Sequence, residues 1–131
     1  MNNTKFIELK KIFRTLHGEK GCMWDKEQTH VSILNDLEEE TGEFIKAVRC
    51  KDYINMQEEL GDLLLHVMFH SQIAAKNKKF DIEDVIDVLI KKLKRRHPHV
   101  FSGAKVNSTK EIIRNWHDIK KKEKKCLKRR K

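Results

Sequence analysis

Apolar residues recur along this chain at helical spacing, and polar clusters separate the periodic stretches. Phe6, Ile7, Leu9, Ile12, Phe13 and Leu16 predict a first helix near 4–17. A glycine-bearing loop follows, "HGEKGCMWDKEQ". Ile33, Leu34, Leu37, Phe44, Ile45 and Val48 form the stripe of a second helix, from about Thr29 to Arg49. Asp52 is placed to cap a third helix over about 53–77. Asp81 is placed to cap a fourth over about 82–96, and Pro98 lies just past its end. Ser108-Thr109-Lys110-Glu111 has the S-x-x-E form of a capping box and opens a fifth helix. With 38% hydrophobic and 37% charged residues, five glycines and one proline, the chain favours amphipathic helices with few turns, so the predicted fold is all-α, with four to five helices.

The third helix departs from the amphipathic pattern. Leu63, Leu64, Leu65, Val67, Met68, Phe69 and Ile73 point in nearly every direction at 100° per residue. A helix apolar on all sides is a buried helix. Glu59, Asp62 and His66 share one side of it, within roughly 60° of arc at that pitch, so these polar groups are expected to face packed neighbours. His70 lies one turn beyond His66, and both are read as packing or interface residues before ligands.

Length and composition fit this picture. The chain has 131 residues, enough for one domain with one core, and only five glycines and one proline interrupt it. No apolar run approaches the ~20 residues that span a bilayer, and the N-terminus "MNNTKFIELKK" is too charged for a secretory signal. A cytoplasmic protein is expected. Cys22, Cys50 and Cys126 are scattered, with no C-x-x-C pair, and read as free thiols. The net charge of +9 invites a nucleic-acid reading. Its distribution argues otherwise: residues 120–131 hold nine basic residues and one acid, while the other 119 hold 20 basic and 19 acidic. The basicity belongs to a tail, read as disordered beyond a domain of residues 1–119. A role for that tail in binding nucleic acid is an alternative, not the favoured reading.

The chemistry lies in two acidic clusters, "LEEETGE" at 37–43 and "EELGD" at 58–62. Glu39 and Glu43 are i,i+4 and Glu40 and Glu43 are i,i+3, spacings at which like charges destabilise a helix by a few tenths of a kcal/mol each. Buried carboxylates need basic partners or a metal. Lysine or arginine on facing helices is the ordinary solution. A divalent cation is the other, and hard oxygen ligands without cysteine or paired histidine suit Mg²⁺ or Mn²⁺. A di-iron centre needs two Glu-x-x-His motifs on core helices; this chain has one, Glu27 to His30, at a loop end.

The pattern Glu39-Glu40-x-x-Glu43, fifteen intervening residues, then Glu59-x-x-Asp62 resembles the EExxE…ExxD signature of the MazG-type nucleoside triphosphate pyrophosphohydrolases, members of the all-α NTP pyrophosphatase superfamily. "WDKEQTH" at 24–30, "ELGDLL" at 59–64, "RRHPHVF" at 95–101 and W-x-x-I-K at 116–120 resemble MazG segments in the same order. The resemblance covers residues 10–123. It implies a helical bundle that dimerises through apolar faces, and Mg²⁺-dependent hydrolysis of an NTP or dNTP to the monophosphate and pyrophosphate. By motif position, Glu40, Glu43, Glu59 and Asp62 would be metal ligands, and Glu39 a ligand or a helper in activating water. Two departures stand out. Met23 replaces the proline common in the family's Cys-Pro-Trp-Asp, and Asn55 stands where many relatives have a basic residue.

The resemblance also gives roles to residues whose own pattern leaves a choice. Arg96 falls inside the apolar stripe of the fourth helix (Ile82, Val85, Ile86, Leu89, Leu93), and Lys92 falls beside it. A guanidinium there needs an anion, either a carboxylate or a substrate phosphate; the resemblance favours phosphate. Trp116 and Lys120, i,i+4 in the last helix, are candidates for base stacking and phosphate contact, against a packed indole and a solvent lysine. Trp24 is a candidate base contact or a plug over the core, and Lys26 and Gln28 are weaker candidates for base or sugar. His97 and His99, on either side of Pro98, are read as shaping their loop. No P-loop Gly-x4-Gly-Lys-Ser/Thr is present. Nucleotide binding would rest on helix-borne side chains and metal.

Overall fold

The computed structural model of the chain describes residues 4–129, and side chains through Leu127. The described residues form seven helices and no strand: α1 (Thr4–Leu16), α2 (Met23–Glu27), α3 (Leu34–Arg49), α4 (Tyr53–Lys76), α5 (Ile82–Arg96), α6 (Pro98–Phe101) and α7 (Thr109–Arg129). The five long helices are those the periodicity predicts, in an all-α fold. The two short ones, α2 and α6, lie where loops were expected, being too brief for a periodic signal. The packing divides into two compact units, one ending at Ile82 and one beginning at Glu83.

In the first unit α4 packs against α3 and α1. Phe13, Ile33, Met68, Phe69 and Ile73 form its core, with Phe6, Leu9 and Ile82 against them. Phe69 is the hub. Phe13 of α1 and His17, in the turn just past it, meet its ring in T-shaped contacts at centroid distances of 6.4 and 4.9 Å, and Trp24 of α2 does so at 6.3 Å. Gly21 lets the loop before α2 turn back tightly on α1. A Cβ there would sit 2.1 Å from the Leu16 carbonyl oxygen, which accepts from the Cys22 amide at 2.8 Å.

Local signals explain the helix ends. Asp52 caps α4, its carboxylate accepting from the Asn55 amide at 3.2 Å. Lys51, just past α3, takes the left-handed conformation (φ 55°) that reverses the chain between α3 and α4. The expected start of α3 at Thr29 is corrected. The Thr29 amide donates to Ser32 Oγ at 2.9 Å, and the Ser32 amide donates to Thr29 Oγ1 at 3.1 Å. These reciprocal bonds hold residues 30–33 as a turn, and regular helix begins at Leu34.

The expectation that α4 is buried all round is also corrected. Its buried residues are His66, Met68, Phe69, Ser71, Ile73 and Ala74. Leu60, Leu64, Leu65 and Val67 remain 42–51% exposed. Two neighbouring helices cover one flank of α4 and leave the other apolar and open.

In the second unit, α5 and α7 are joined by side-chain contacts from Arg95 and Arg96 to Glu123. Trp116 lies against the Arg96 guanidinium, 5.1 Å from its centre, and against the His97 ring at 5.1 Å. The capping box holds in modified form: the Glu111 amide donates to Ser108 Oγ at 3.3 Å, while the Glu111 carboxylate accepts from the Asn107 amide at 2.7 Å. α7 continues through Arg129. Residues 120–129, expected as a disordered tail, are therefore helical; Arg130 and Lys131 lie outside the described residues. Lysine and arginine are good helix formers, and a long helix already under way extends at one residue per hydrogen bond.

Candidate functional site

α3 and α4 are consecutive helices joined by the short turn at 50–52, so they run antiparallel and their facing positions pair in reverse order. Asp36 meets His66: the imidazole Nε2 and Asp36 Oδ2 are 2.9 Å apart. One turn further along α3, Glu40 meets Asp62 and Glu59 of α4. Carboxylate oxygens of these three residues lie within 4.8 Å of one another. In the same register Glu43 comes level with Glu59, but Glu43 is exposed and outside that cluster, as is Glu39. The structure thus brings together three of the five acids singled out in the sequence.

The cluster carries the signs of a cation-seeking site. The hydrogen bond to Glu59 chiefly pushes the Glu40 carboxyl up to about 8; partial burial, the hydrogen bond to Asp62 and the nearby negative charges add to it. Glu59 Oε2 is buried without a hydrogen-bond partner. No lysine or arginine closes an ion pair with the three acids among the described residues. An orphaned oxygen and a carboxyl that must keep its proton mark acids gathered without a protein cation, and all-oxygen donors are what a hard divalent ion takes.

Asp36 escaped the sequence reading. It lies one turn before Glu40 on the same face, and the antiparallel register that pairs Glu40 with Asp62 also pairs Asp36 with His66. Its partner His66 is 3% exposed, so its expected packing role agrees with where it lies. His70 bonds sideways to His30, Nδ1 to Nδ1 at 2.8 Å, with the rings coplanar to 2°. Burial, with His30 and His66 nearby, lowers the His70 pKa from 6.5.

The remaining candidates fall into two groups. On α2, Trp24 is 59% exposed with its edge on Phe69. Lys26 donates from Nζ to the Glu19 carbonyl at 3.2 Å. Gln28 donates to the Trp24 carbonyl at 2.9 Å and accepts from Ser32 Oγ at 2.7 Å, so its amide staples the loop. In the second unit, Lys92, Arg96 and Lys120 line a groove of about 780 Å³ between α5 and α7. Arg96 has a carboxylate partner, Glu123, which is not one of the clustered acids. Its Nε donates to Glu123 Oε1 at 3.3 Å and its Nη2 to Oε2 at 2.8 Å. Trp116 packs on that guanidinium. His97 Nδ1 bonds the Leu93 carbonyl at 2.7 Å, and its role is to end α5 and shape the loop.

Residues 28–101 match the model of the MazG nucleotide pyrophosphohydrolase domain. The chain is 49% identical over 119 residues to the Thermotoga maritima nucleoside triphosphate pyrophosphohydrolase/pyrophosphatase MazG, covering 91% of this chain and 45% of that protein. It is 41% identical over 105 residues to the Escherichia coli K12 nucleoside triphosphate pyrophosphohydrolase, covering 80% and 40%. With the uncharacterized Bacillus subtilis protein YabN it shares 45% identity over 120 residues, 92% of this chain and 24% of that protein. The chain thus spans from a quarter to just under half of these relatives. The crystal structure of a MazG-related protein from Thermotoga maritima superposes with a TM-score of 0.70 at 27% identity, over 90% of this chain and 98% of that one. The matched residues include both acidic motifs and the helices that pair them, and the chain belongs to the MazG nucleotide pyrophosphohydrolase domain family.

Proposed function

We propose that this protein is a Mg²⁺-dependent nucleoside triphosphate pyrophosphohydrolase that converts an NTP or dNTP to the monophosphate and pyrophosphate. The observation that carries the reading is the convergence of Glu40, Glu59 and Asp62 from two helices, with a buried, partnerless oxygen on Glu59. These three residues would hold the ion, with Glu43 as a fourth carboxylate and Glu39 as ligand or helper to the attacking water. When bound, Mg²⁺ (or Mn²⁺) supplies phosphate polarisation and a more acidic water.

The chain's own residues do the rest. The antiparallel register fixes Glu40 against Glu59 and Asp62, so the carboxylates are set before any ligand arrives and little ordering remains on binding. Asp36 and His66 pin the two helices one turn away. Lys92, Arg96 and Lys120 are the proposed phosphate contacts. Trp24 and Trp116 are the proposed base contacts, and Lys26 and Gln28 reach base or sugar. A homodimer joined over the open face of α4 and a cytoplasmic location belong to the same proposal; among the described residues no helix is long and apolar enough to cross a membrane. Water attacks the α-phosphorus, and the bond from that phosphorus to the bridging oxygen breaks as pyrophosphate leaves.

The test is a panel of NTPs and dNTPs with Mg²⁺, scoring pyrophosphate against orthophosphate. Pyrophosphate is expected, and Glu59→Ala or Asp62→Ala should abolish it while the protein stays folded. Orthophosphate as sole product would overturn the bond assignment. A catalytically weak nucleotide- or nucleic-acid-binding module is the second reading, favoured by the cations along α7. It predicts binding lost on deleting 121–131 and insensitive to the two acid substitutions.

A further inference from the structure

The α5–α7 groove contains its own anion. Six cations line it: Lys92, Arg95, Arg96, Lys120, Lys122 and Lys124. Glu123 is the one acid among the lining residues. Arg95 gives that carboxylate Nε and Nη2 at 2.8 Å, both to Oε1. Arg96 gives it Nη2 at 2.8 Å on Oε2. Both guanidiniums thus present the same Nε–Nη2 edge to one carboxylate. That edge is the fork that binds carboxylate and phosphate oxygens alike. Trp116 stacked on Arg96 fixes the plane of the fork.

We propose that Glu123 is an affinity-setting residue: its carboxylate occupies the Arg95–Arg96 fork in the free protein and is exchanged for a phosphate group of the substrate on binding. The inference rests on the reading of this groove as a phosphate site. The exchange is feasible because the clamp opens to solvent on its Arg95 side: Arg95 is 49% exposed, while Glu123 and Arg96 are 17% and 15%. The displaced carboxylate regains water, and the entering phosphate replaces it against Arg96, so neither ion is left buried alone. It is an exchange of anions and needs no proton, since the two guanidiniums keep the Glu123 carboxyl near 2, charged at any physiological pH. A resident carboxylate also screens six gathered cations, so weak singly charged anions gain little by entering. A polyphosphate, with several charges, can displace it.

The experiment uses the full chain, with Glu123→Gln and the charge-keeping Glu123→Asp. Sodium tripolyphosphate binding is measured by calorimetry in chelator, so that metal at the carboxylate cluster plays no part, and KM and kcat are measured separately with Mg²⁺ and an NTP. Glu123→Gln should bind tripolyphosphate about tenfold more tightly, with KM lowered and kcat unchanged, and Glu123→Asp should stay near wild type. Weaker or unchanged binding by Glu123→Gln would mean that Glu123 only props the arginines, and would overturn the inference. The wild-type protein gives an independent readout should the variants fold poorly: the Glu123 carboxylate carbon resonance should move on tripolyphosphate saturation, and a fixed resonance overturns the exchange. Absence of NTP turnover with tightened tripolyphosphate binding would remove the hydrolase reading and leave the exchange standing. Turnover without tightening would do the reverse.

Discussion

Replacing Glu40 with glutamine should stabilise the metal-free protein and abolish its response to magnesium. The Glu40 carboxyl is raised from an ordinary 4.5 to about 8, first by its hydrogen bond to Glu59. The folded protein therefore holds a proton between pH 4.5 and 8 that the unfolded chain has released. More protons bound in the folded state mean that stability falls as pH rises through that window and levels off above it. At 1.36 kcal/mol per pH unit the ceiling is about 5 kcal/mol. Glu40 is only partly buried, and screening by water and salt reduces the figure to the order of 1–2 kcal/mol. Glutamine keeps the shape, donates to Glu59 and Asp62, and never has to lose a proton. In chelator at pH 8, Glu40→Gln should melt roughly 3–8 °C above wild type; at pH 5 the two should nearly coincide. Added Mg²⁺ should raise the wild-type melting temperature, more at pH 8 than at pH 6 because the ion displaces the proton, and should leave Glu40→Gln unmoved. Thermal melts followed by circular dichroism at the two pH values decide it. A variant less stable than wild type at pH 8, or one that keeps the full magnesium response, would show that the three acids are not a cation site.

Three further outcomes follow from other parts of the fold. Asp52→Ala removes the cap of α4 and should cost about 1 kcal/mol in urea unfolding; an unchanged midpoint would mean the cap is idle. Glu123→Gln should be less stable than wild type above pH 4.5, by on the order of 1–2 kcal/mol after allowing for the half-exposed Arg95. Because the Glu123 pKa is lowered by Arg96 and Arg95, that advantage is lost as pH falls toward 2, and the two unfolding curves should converge there; a gap that persists at pH 2 would count against the ion pair. The wild-type chain should elute at twice its 15.6 kDa mass, and Leu60→Lys with Leu64→Lys, on the open flank of α4, should elute as the monomer. A wild-type monomer, or a dimer that survives both lysines, would place the interface elsewhere.

The five long helices were legible because each carries a long run of apolar residues at helical spacing or on all sides, and two carry a clear cap, Asp52 and Ser108. The short α2 and α6 were not, since four or five residues hold no period. The start of α3 was misread for a related reason. Thr29 is a capping residue, but its partner Ser32 closes a turn with it, and that reciprocity depends on side-chain conformations that spacing does not encode. The run at 120–129 was misjudged from its charge: repulsion between lysines is weak in water, and the helix entering from Trp116 extends through them.

The site shows what spacing can and cannot supply. Two acidic motifs on helices joined by a three-residue turn have only one antiparallel register, so the meeting of Glu40 with Glu59 and Asp62 was implicit in the sequence. The same register would have found Asp36 opposite His66. It could not separate Glu43, level with Glu59 but exposed, from Glu40, because which of two acids a turn apart points inward depends on the rotation of α3 about its axis. The core residues Ile33 and Ala47, packed inside the first unit, fix that rotation. The partner of Arg96 was likewise beyond reach. The stripe required an anion, but Glu123 lies 27 residues on, in a run that read as solvated tail. Only the continuation of α7 as helix carries it back to α5, where its carboxylate meets the Arg96 guanidinium.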